Sequence, residues 1–199
     1  MKKIIGITLI EVLVALLVLS ILASVAGPSF AESFKKRQLQ SAAEQMYSFM
    51  QQARAESLAR SEKIHVSVAN MASSNWSYGM KSANLPATAT AGDCDPTVTD
   101  TSHTSACVLL IDDGDGTTTV DDYVLHRIDA SEHDGINLQL GLATNSSSTS
   151  MVFDPARGTV DNSRSFHFVS DAKQLVVRVN KLGLVKICSN DYAEYPSCS

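Results

Sequence analysis

The chain has 199 residues, of which 44% are hydrophobic and 19% charged, with a formal net charge of −5. That length fits one domain, or one domain plus an anchor. The apolar fraction excludes a disordered chain, and 10 Gly with 5 Pro exclude collagen-like and most low-complexity classes. The average hides strong segregation. Residues 7–30 contain one charge, Glu11. Residues 92–134 hold eleven acids against one base, Arg127, and residues 151–190 hold six bases against three acids.

The first element is the apolar run ITLIEVLVALLVLSILASVAGPSF at 7–30. About 20 apolar residues at 1.5 Å each are enough to cross a bilayer as a helix. Lys2 and Lys3 ahead of the run favour a cytoplasmic N-terminus. A cleaved secretory signal could use Ala23, Ala26 or Ala31, but it has no need of Glu11 in its apolar region. A carboxylate at membrane depth costs several kcal/mol unless it is paired, which marks Glu11 as functional. Pro28 removes a backbone donor, so a kink or local melt is expected there.

The string Lys2-Lys3-Ile4-Ile5-Gly6 followed by Ile7-Thr8-Leu9-Ile10-Glu11 resembles the class III leader of type IV pilins and pseudopilins. The resemblance implies cleavage by a prepilin peptidase between Gly6 and Ile7, with N-methylation of Ile7. Ile7 stands where phenylalanine is commoner. Residues 1–6 are then the leader, 7–30 the transmembrane and assembly helix, and 31–199 a periplasmic head. Thr8, Glu11 and Pro28 fall where that family keeps its assembly residues. In a fibre Glu11 would meet the α-ammonium of a neighbouring subunit. An unpaired charge on either side is costly in low dielectric, so pairing would select the axial register.

Past Phe30 the helix is expected to continue over 31–61. Leu39, Ala42, Ala43, Met46, Phe49, Met50, Ala53 and Leu58 recur at steps of three and four, an apolar face. That half must lie against a sheet, because an isolated amphipathic helix is marginal. Residues 62–199 read as β-rich. Alternation and β-branched enrichment place strands at 64–69, 76–81, 107–111, 123–128, 136–140, 151–153, 165–169, 174–179 and 184–188. Residues 82–105 and 144–150 read as polar loops, the first long and mobile. One long helix followed by antiparallel strands is an α+β fold.

No motif for catalysis stands out. G-x-S-x-G, P-loop, H-E-x-x-H and C-x-x-C are all missing from the sequence. The five histidines, at 65, 103, 126, 133 and 167, are scattered, and no cofactor is expected. His65, His126 and His167 fall at alternate strand positions, as ordinary sheet residues. Asp112, Asp113, Asp115, Asp121 and Asp122 loosely resemble a calcium loop. The spacing fails for an EF-hand, with Thr118 and Val124 where Gly and Glu are needed, so a polar hairpin is preferred to a metal site. Cys94, Cys107, Cys188 and Cys198 allow three pairings. Proximity favours Cys94–Cys107 and Cys188–Cys198 as structural staples outside the cytoplasm.

The C-terminal third narrows the resemblance. FDPARGT at 153–159, SFHF at 165–168, VVRV at 176–179 and LGLVKIC at 182–188 resemble the GspH/FimT family of minor pilins and pseudopilins. That family includes FimU-type minor pilins of the type IVa pilus, FimT-type DNA receptors and GspH-type secretion pseudopilins. The resemblance implies a pilin-like α+β fold and no enzymatic activity. The FimU-like reading gives a minor pilin at or near the pilus tip that helps prime assembly. Its partners would be the prepilin peptidase, the inner membrane, other minor pilins and the major pilin. A FimT-like receptor or a type II secretion pseudopilin is the alternative. For DNA, FimT-type receptors carry a basic GRxR-like stretch where this chain has Gly183-Leu184-Val185-Lys186. Arg178, Lys181 and Lys186 remain as candidate DNA contacts, against an acidic head that repels phosphate.

Overall fold

The computed structural model describes residues 8–83, 92–111, 114, 117, 119, 122–141 and 146–198, apart from the side chains of 25–29. The chain divides into two units, Met1–Arg37 and Gln38–Ser199. Helix α1 (Leu9–Arg60) belongs to both.

In the first unit, Thr8 caps α1. Its backbone N–H and Oγ1 donate to Glu11 Oε2 at 3.2 and 3.1 Å, and Glu11 N–H returns a bond to Thr8 Oγ1 at 3.4 Å. This reciprocal Thr-x-x-Glu arrangement is a capping box, which satisfies otherwise open donors of the first turn. Apolar side chains then cover the helix surface, from Leu9 at 79% exposed to Leu22 at 59%. The two hydroxyls among them turn inward, Ser20 Oγ to Leu17 O and Ser24 Oγ to Ile21 O. Among the described residues no helix is long and apolar enough to cross a membrane. The expected span at 7–30 extends over residues 7 and 25–29, which lie outside the described side chains. Helical backbone runs unbroken through position 28, so the melt expected at Pro28 does not occur.

The second unit is an α+β head. Its strands are β1 (Ile64–Ala69), β2 (Ser77–Ser82), β3 (Val108–Leu110), β4 (Tyr123–Leu125), β5 (Arg127–Asp129), β6 (Asn137–Leu140), β7 (Thr149–Phe153), β8 (Arg164–Ser170), β9 (Lys173–Val179) and β10 (Val185–Cys188). They form two antiparallel four-stranded sheets, ordered β5-β2-β1-β7 and β10-β9-β8-β6, and a separate β3-β4 hairpin. The run expected at 123–128 is broken at His126. There the chain leaves the β3 partner and joins β2: His126 N–H donates to Cys107 O, and its carbonyl accepts from Met80 N–H.

Residues 39, 42, 43, 46, 49, 50 and 53 of α1 are buried in the core shared with both sheets. Ser57 continues this stripe, fully buried with its hydroxyl bonded to Arg54 O. Leu58 does not continue it and is 44% exposed. One residue beyond Ser57 is a rotation of about 100°, enough to leave the face. Trp76 stands at the middle of the core. It stacks on Tyr78 at 5.7 Å and His133 at 5.7 Å, meets Phe168 edge-on at 5.5 Å, and donates Nε1–H to Ile136 O.

Strand β2 is buried along its whole length. Tyr78 and Met80 join the core, while Gly79 and Lys81 are covered on the opposite face by residues 93–107. The reading of 82–105 as one mobile loop is therefore corrected: Ser82 ends β2, and 92–105 is ordered, with 84–91 outside the described residues. The Cys94–Cys107 disulfide closes this strap. Cys94 N–H bonds Ser67 Oγ, Arg127 Nε bonds Pro96 O, and Lys81 Nζ donates to Thr104 O at 2.6 Å. Burial lowers the pKa of the Lys81 amine. A small second core of Ala106, Val108 and Tyr123 lies beneath the β3-β4 hairpin.

A second disulfide, Cys188–Cys198, clips the C-terminal tail. Within the tail Tyr192 is buried and Tyr195 packs at the core edge, its hydroxyl donating to Glu44 Oε1.

A Cβ on Gly79 would lie 2.6 Å from both Cβ and Sγ of Cys107 and 2.9 Å from His126 O. Gly79→Ala therefore has to displace the strap. It should cost about 1–3 kcal/mol by overpacking, read as a lower unfolding midpoint of the full chain in detergent. An unchanged midpoint would mean that the strap does not press on β2.

Candidate functional site

Three places could carry function: the N-terminal turn, the histidines of the head, and the basic surface of β9 and β10. The N-terminal turn is built from the order Thr8-Leu9-Ile10-Glu11. Cap and acid sit three apart, so the carboxylate folds back on the open N–H groups where the helix dipole favours negative charge. Glu11 thus enters the helix with its charge oriented by Thr8. Gly6 and Ile7 lie outside the described residues, and nothing is described of the Pro28 side chain.

The head interior is mostly apolar but also buries Lys81, Asp122 and His133. His133 is buried, bonds Gln45 Oε1 through Nε2 at 2.8 Å, and leaves Nδ1 without a partner. Desolvation pushes its pKa down, with Glu132 pulling the other way. His126 is also lowered, first by burial, with Glu56 opposing and Arg60 assisting. His65 meets Asp93 at 3.3 Å, and His167 meets Gln174 at 3.1 Å. Of these four, His65 lies on β1 and His167 on β8, while His126 falls between β4 and β5 and His133 ends the short turn at 130–132. Sequence reading passed over His133, because stacking on Trp76 leaves no local pattern. Tyr78 is buried with its hydroxyl unpartnered, and burial drives its pKa far above the usual tyrosine range.

Among the described residues no group of three His, Cys, Asp or Glu side chains could hold a metal ion. Asp112, Asp113, Asp115 and Asp121 lie outside those residues. Asp122 is buried and accepts from Thr119 N–H, as a turn carboxylate does. All four cysteines are bonded in the two short loops, so none is a free thiol.

Arg178 and Lys186 are brought together. They sit directly opposite on β9 and β10, both exposed, beside a cleft of about 330 Å³ that Asn180, Leu184 and Pro196 also line. Lys181 is exposed in the turn between the two strands. Three cations spread over a strand pair and a turn can contact an anionic backbone, but few phosphates at once.

The comparisons with known proteins bear on both ends of the chain. A family model described as Type II transport protein GspH matches residues 42–183. One described as the prokaryotic N-terminal methylation motif matches residues 1–27. No curated protein matches the sequence. Two crystal structures of the type IV minor pilin FimU from Pseudomonas aeruginosa (strain PAO1) are similar. The first, in space group P21, has 16% identity and a TM-score of 0.46, covering 76% of this chain and 89% of that one. The second, in P65, has 15% identity and a TM-score of 0.43, covering 75% and 91%.

The lowered histidines set a pH dependence. Unfolding restores an ordinary pKa near 6.5, so the unfolded chain binds more protons below that value. Stability should be full above it and fall as pH drops through it toward the lower folded values of His126 and His133. Denaturant midpoints of the full chain at about pH 7 and pH 5 test this, and His133→Gln should flatten the slope. A slope unchanged in that variant would place the proton uptake elsewhere.

Proposed function

Since the chain belongs to the GspH family of minor pilins and pseudopilins, we propose that it is a non-catalytic minor pilin of a type IVa pilus, FimU-like, incorporated at or near the tip and helping to prime assembly. The family is membrane-anchored and structural, built for type IV pili or type II secretion. The observation that carries the reading is the adjacency of two matches on one chain: a methylation motif over 1–27 and a GspH head over 42–183. The first implies processing by a prepilin peptidase and assembly with other pilins.

In this reading, cleavage between Gly6 and Ile7 leaves Ile7 as a methylated N-terminus. The apolar segment 7–30 first spans the inner membrane, with the head in the periplasm. It then packs among other minor pilins and the major pilin. The hydroxyls of Ser20 and Ser24 suit both settings, since each is satisfied within its own helix. Glu11 exchanges its capping contacts with Thr8 for the α-ammonium of a neighbour. The gain is largest in low dielectric, where an unpaired charge is most costly. Residues 1–6, 7–30 and 31–199 are the leader, anchor and head.

DNA capture is a second reading, favoured by one observation, the exposed cross-strand pair Arg178 and Lys186 with Lys181 nearby. A mobility shift with the detergent-solubilised full chain at two salt concentrations tests it. Salt-sensitive binding lost in Lys186→Ala supports DNA capture, and no shift at low salt excludes it.

Sheared surface fibres from the native cell, analysed by intact and peptide mass, test the pilin reading. The expected result is the chain cut before Ile7, at trace level among other minor pilins. Glu11→Ala should lower its recovery on the order of tenfold or more, as when one member of a buried charge pair is removed. A processed chain in membranes but never in fibres points instead to a secretion pseudopilin. Unchanged recovery of Glu11→Ala removes the charge-pairing role.

A further inference from the structure

Beyond Ser57, the C-terminal end of α1 meets two turns that begin and end β-structure. Gly158 closes the turn after β7, and Gly183 lies in the turn between β9 and β10. Both adopt positive φ, +61° and +71°, and both are buried. The two turns are in direct contact. A Cβ on Gly183 would fall 1.8 Å from Gly158 O and 3.3 Å from Arg54 Nε, and one on Gly158 would fall 2.8 Å from the same Nε and 3.4 Å from Leu58 Cδ1. The side chain of Arg54 is therefore laid against bare backbone. Its Nε is buried without a hydrogen-bond partner, while the rest of the residue is half-exposed. Among the described residues no acceptor or carboxylate pairs with this guanidinium.

Two exposed leucines belong to the same place. Leu58 and Leu182 are 44% and 63% exposed; Leu58 Cδ1 lies against Gly158, and Leu182 precedes Gly183 in its turn. Leu184, 44% exposed, lines the cleft with Arg178 and Lys186 instead. The exposed residues Arg157 and Lys181, next to Gly158 and Leu182, have the same sign as Arg54. The nearby acid Asp154 is committed to its own turn, accepting from Ala156 N–H.

We infer that this patch is a docking surface for a protein subunit of the same assembly, one that presents a carboxylate beside apolar side chains. The inference rests on the pilin reading and deepens it by naming the contact. The carboxylate meets Arg54 end-on through the terminal nitrogens, because Nε is closed off by the glycine turns. Paired hydrogen bonds of this kind are the strong, geometry-specific ones. The partner's apolar groups cover Leu58 and Leu182, excluding water from the pair. An arginine beside exposed leucines matches the composition of an interface hot spot. The glycines let the partner's chain come close, since no Cβ stands between. A nucleic acid backbone fits less well: it offers phosphate to Arg54 but nothing apolar to the leucines.

The test uses the full-length chain in its native cells, with a photoreactive benzophenone amino acid at position 182 and, separately, at position 16 within the anchor helix. The expected product at 182 is a crosslink to a pilin-class subunit at a peptide containing an aspartate, a glutamate or a C-terminal carboxylate. Arg54→Glu should lower its yield ~10-fold or more, the loss expected when one member of a desolvated pair is reversed. Changing the partner's acid to lysine should restore it in Arg54→Glu. If Arg54→Glu does not accumulate, Leu58→Asp, on an exposed side chain, should give the same loss. A crosslink at 182 unaffected by both substitutions overturns the inference. So does a crosslink at 16 without one at 182, which leaves the pilin reading standing. Crosslinks at neither position overturn both. Salt-sensitive DNA binding lost in Arg54→Glu, with no subunit crosslink at 182, replaces the protein partner with nucleic acid.

Discussion

The burial of one stripe of α1 governs the head. Leu39, Ala42, Ala43, Met46, Phe49, Met50, Ala53 and Ser57 follow a single face, and both four-stranded sheets contribute to the core it shares. The alanines let backbone come near, and Met46, Phe49 and Met50 fill the space between. Trp76 then fixes the depth of the core by contacts on both faces and one edge. The same helix carries an opposite surface in its first unit, apolar and exposed from Leu9 to Leu22. An exposed apolar area of that extent requires a non-aqueous neighbour. The helix thus buries its apolar side chains within the head and leaves those of its N-terminal stretch exposed.

Outside the helix, stability is added in small local pieces. The strap at 93–107 converts β2 from a strand with one wet face into one buried throughout, and a 13-residue disulfide span holds it. Closing a loop of that size is worth roughly 3 kcal/mol in the chain-entropy account. The tail is held similarly by a 10-residue span and by tyrosines that reach the core. The tail also ties to α1 directly, through the Tyr195 hydroxyl and Glu44.

The long helix, the antiparallel strands and nearly every strand position were legible in the sequence, because period and turn chemistry are local signals. Leu58 was misread since apolar identity outweighed a one-residue phase error, and Ser57 was missed for the converse reason. The strap was opaque: Ala, Thr, Ser and Asp carry no periodicity, and its order comes from contacts with Gly79, Lys81 and Ser67, distant in sequence. Of the candidate site, Glu11 was legible as the one charge in an apolar run and Thr8 through the family resemblance, while their mutual capping was not read. Arg54 was not, because its surroundings are two glycine turns more than a hundred residues away. His133 stayed hidden because stacking on Trp76 is a tertiary event.

The short disulfide spans also make the two staples independent of each other. Cys94 and Cys107 lie far upstream of Cys188 and Cys198, and each cysteine finds its partner within its own stretch. Each loop therefore closes on its own: the Cys94–Cys107 loop holds the strap on β2, and the Cys188–Cys198 loop holds the tail at the end of β10, so that reducing one staple leaves the other's loop closed.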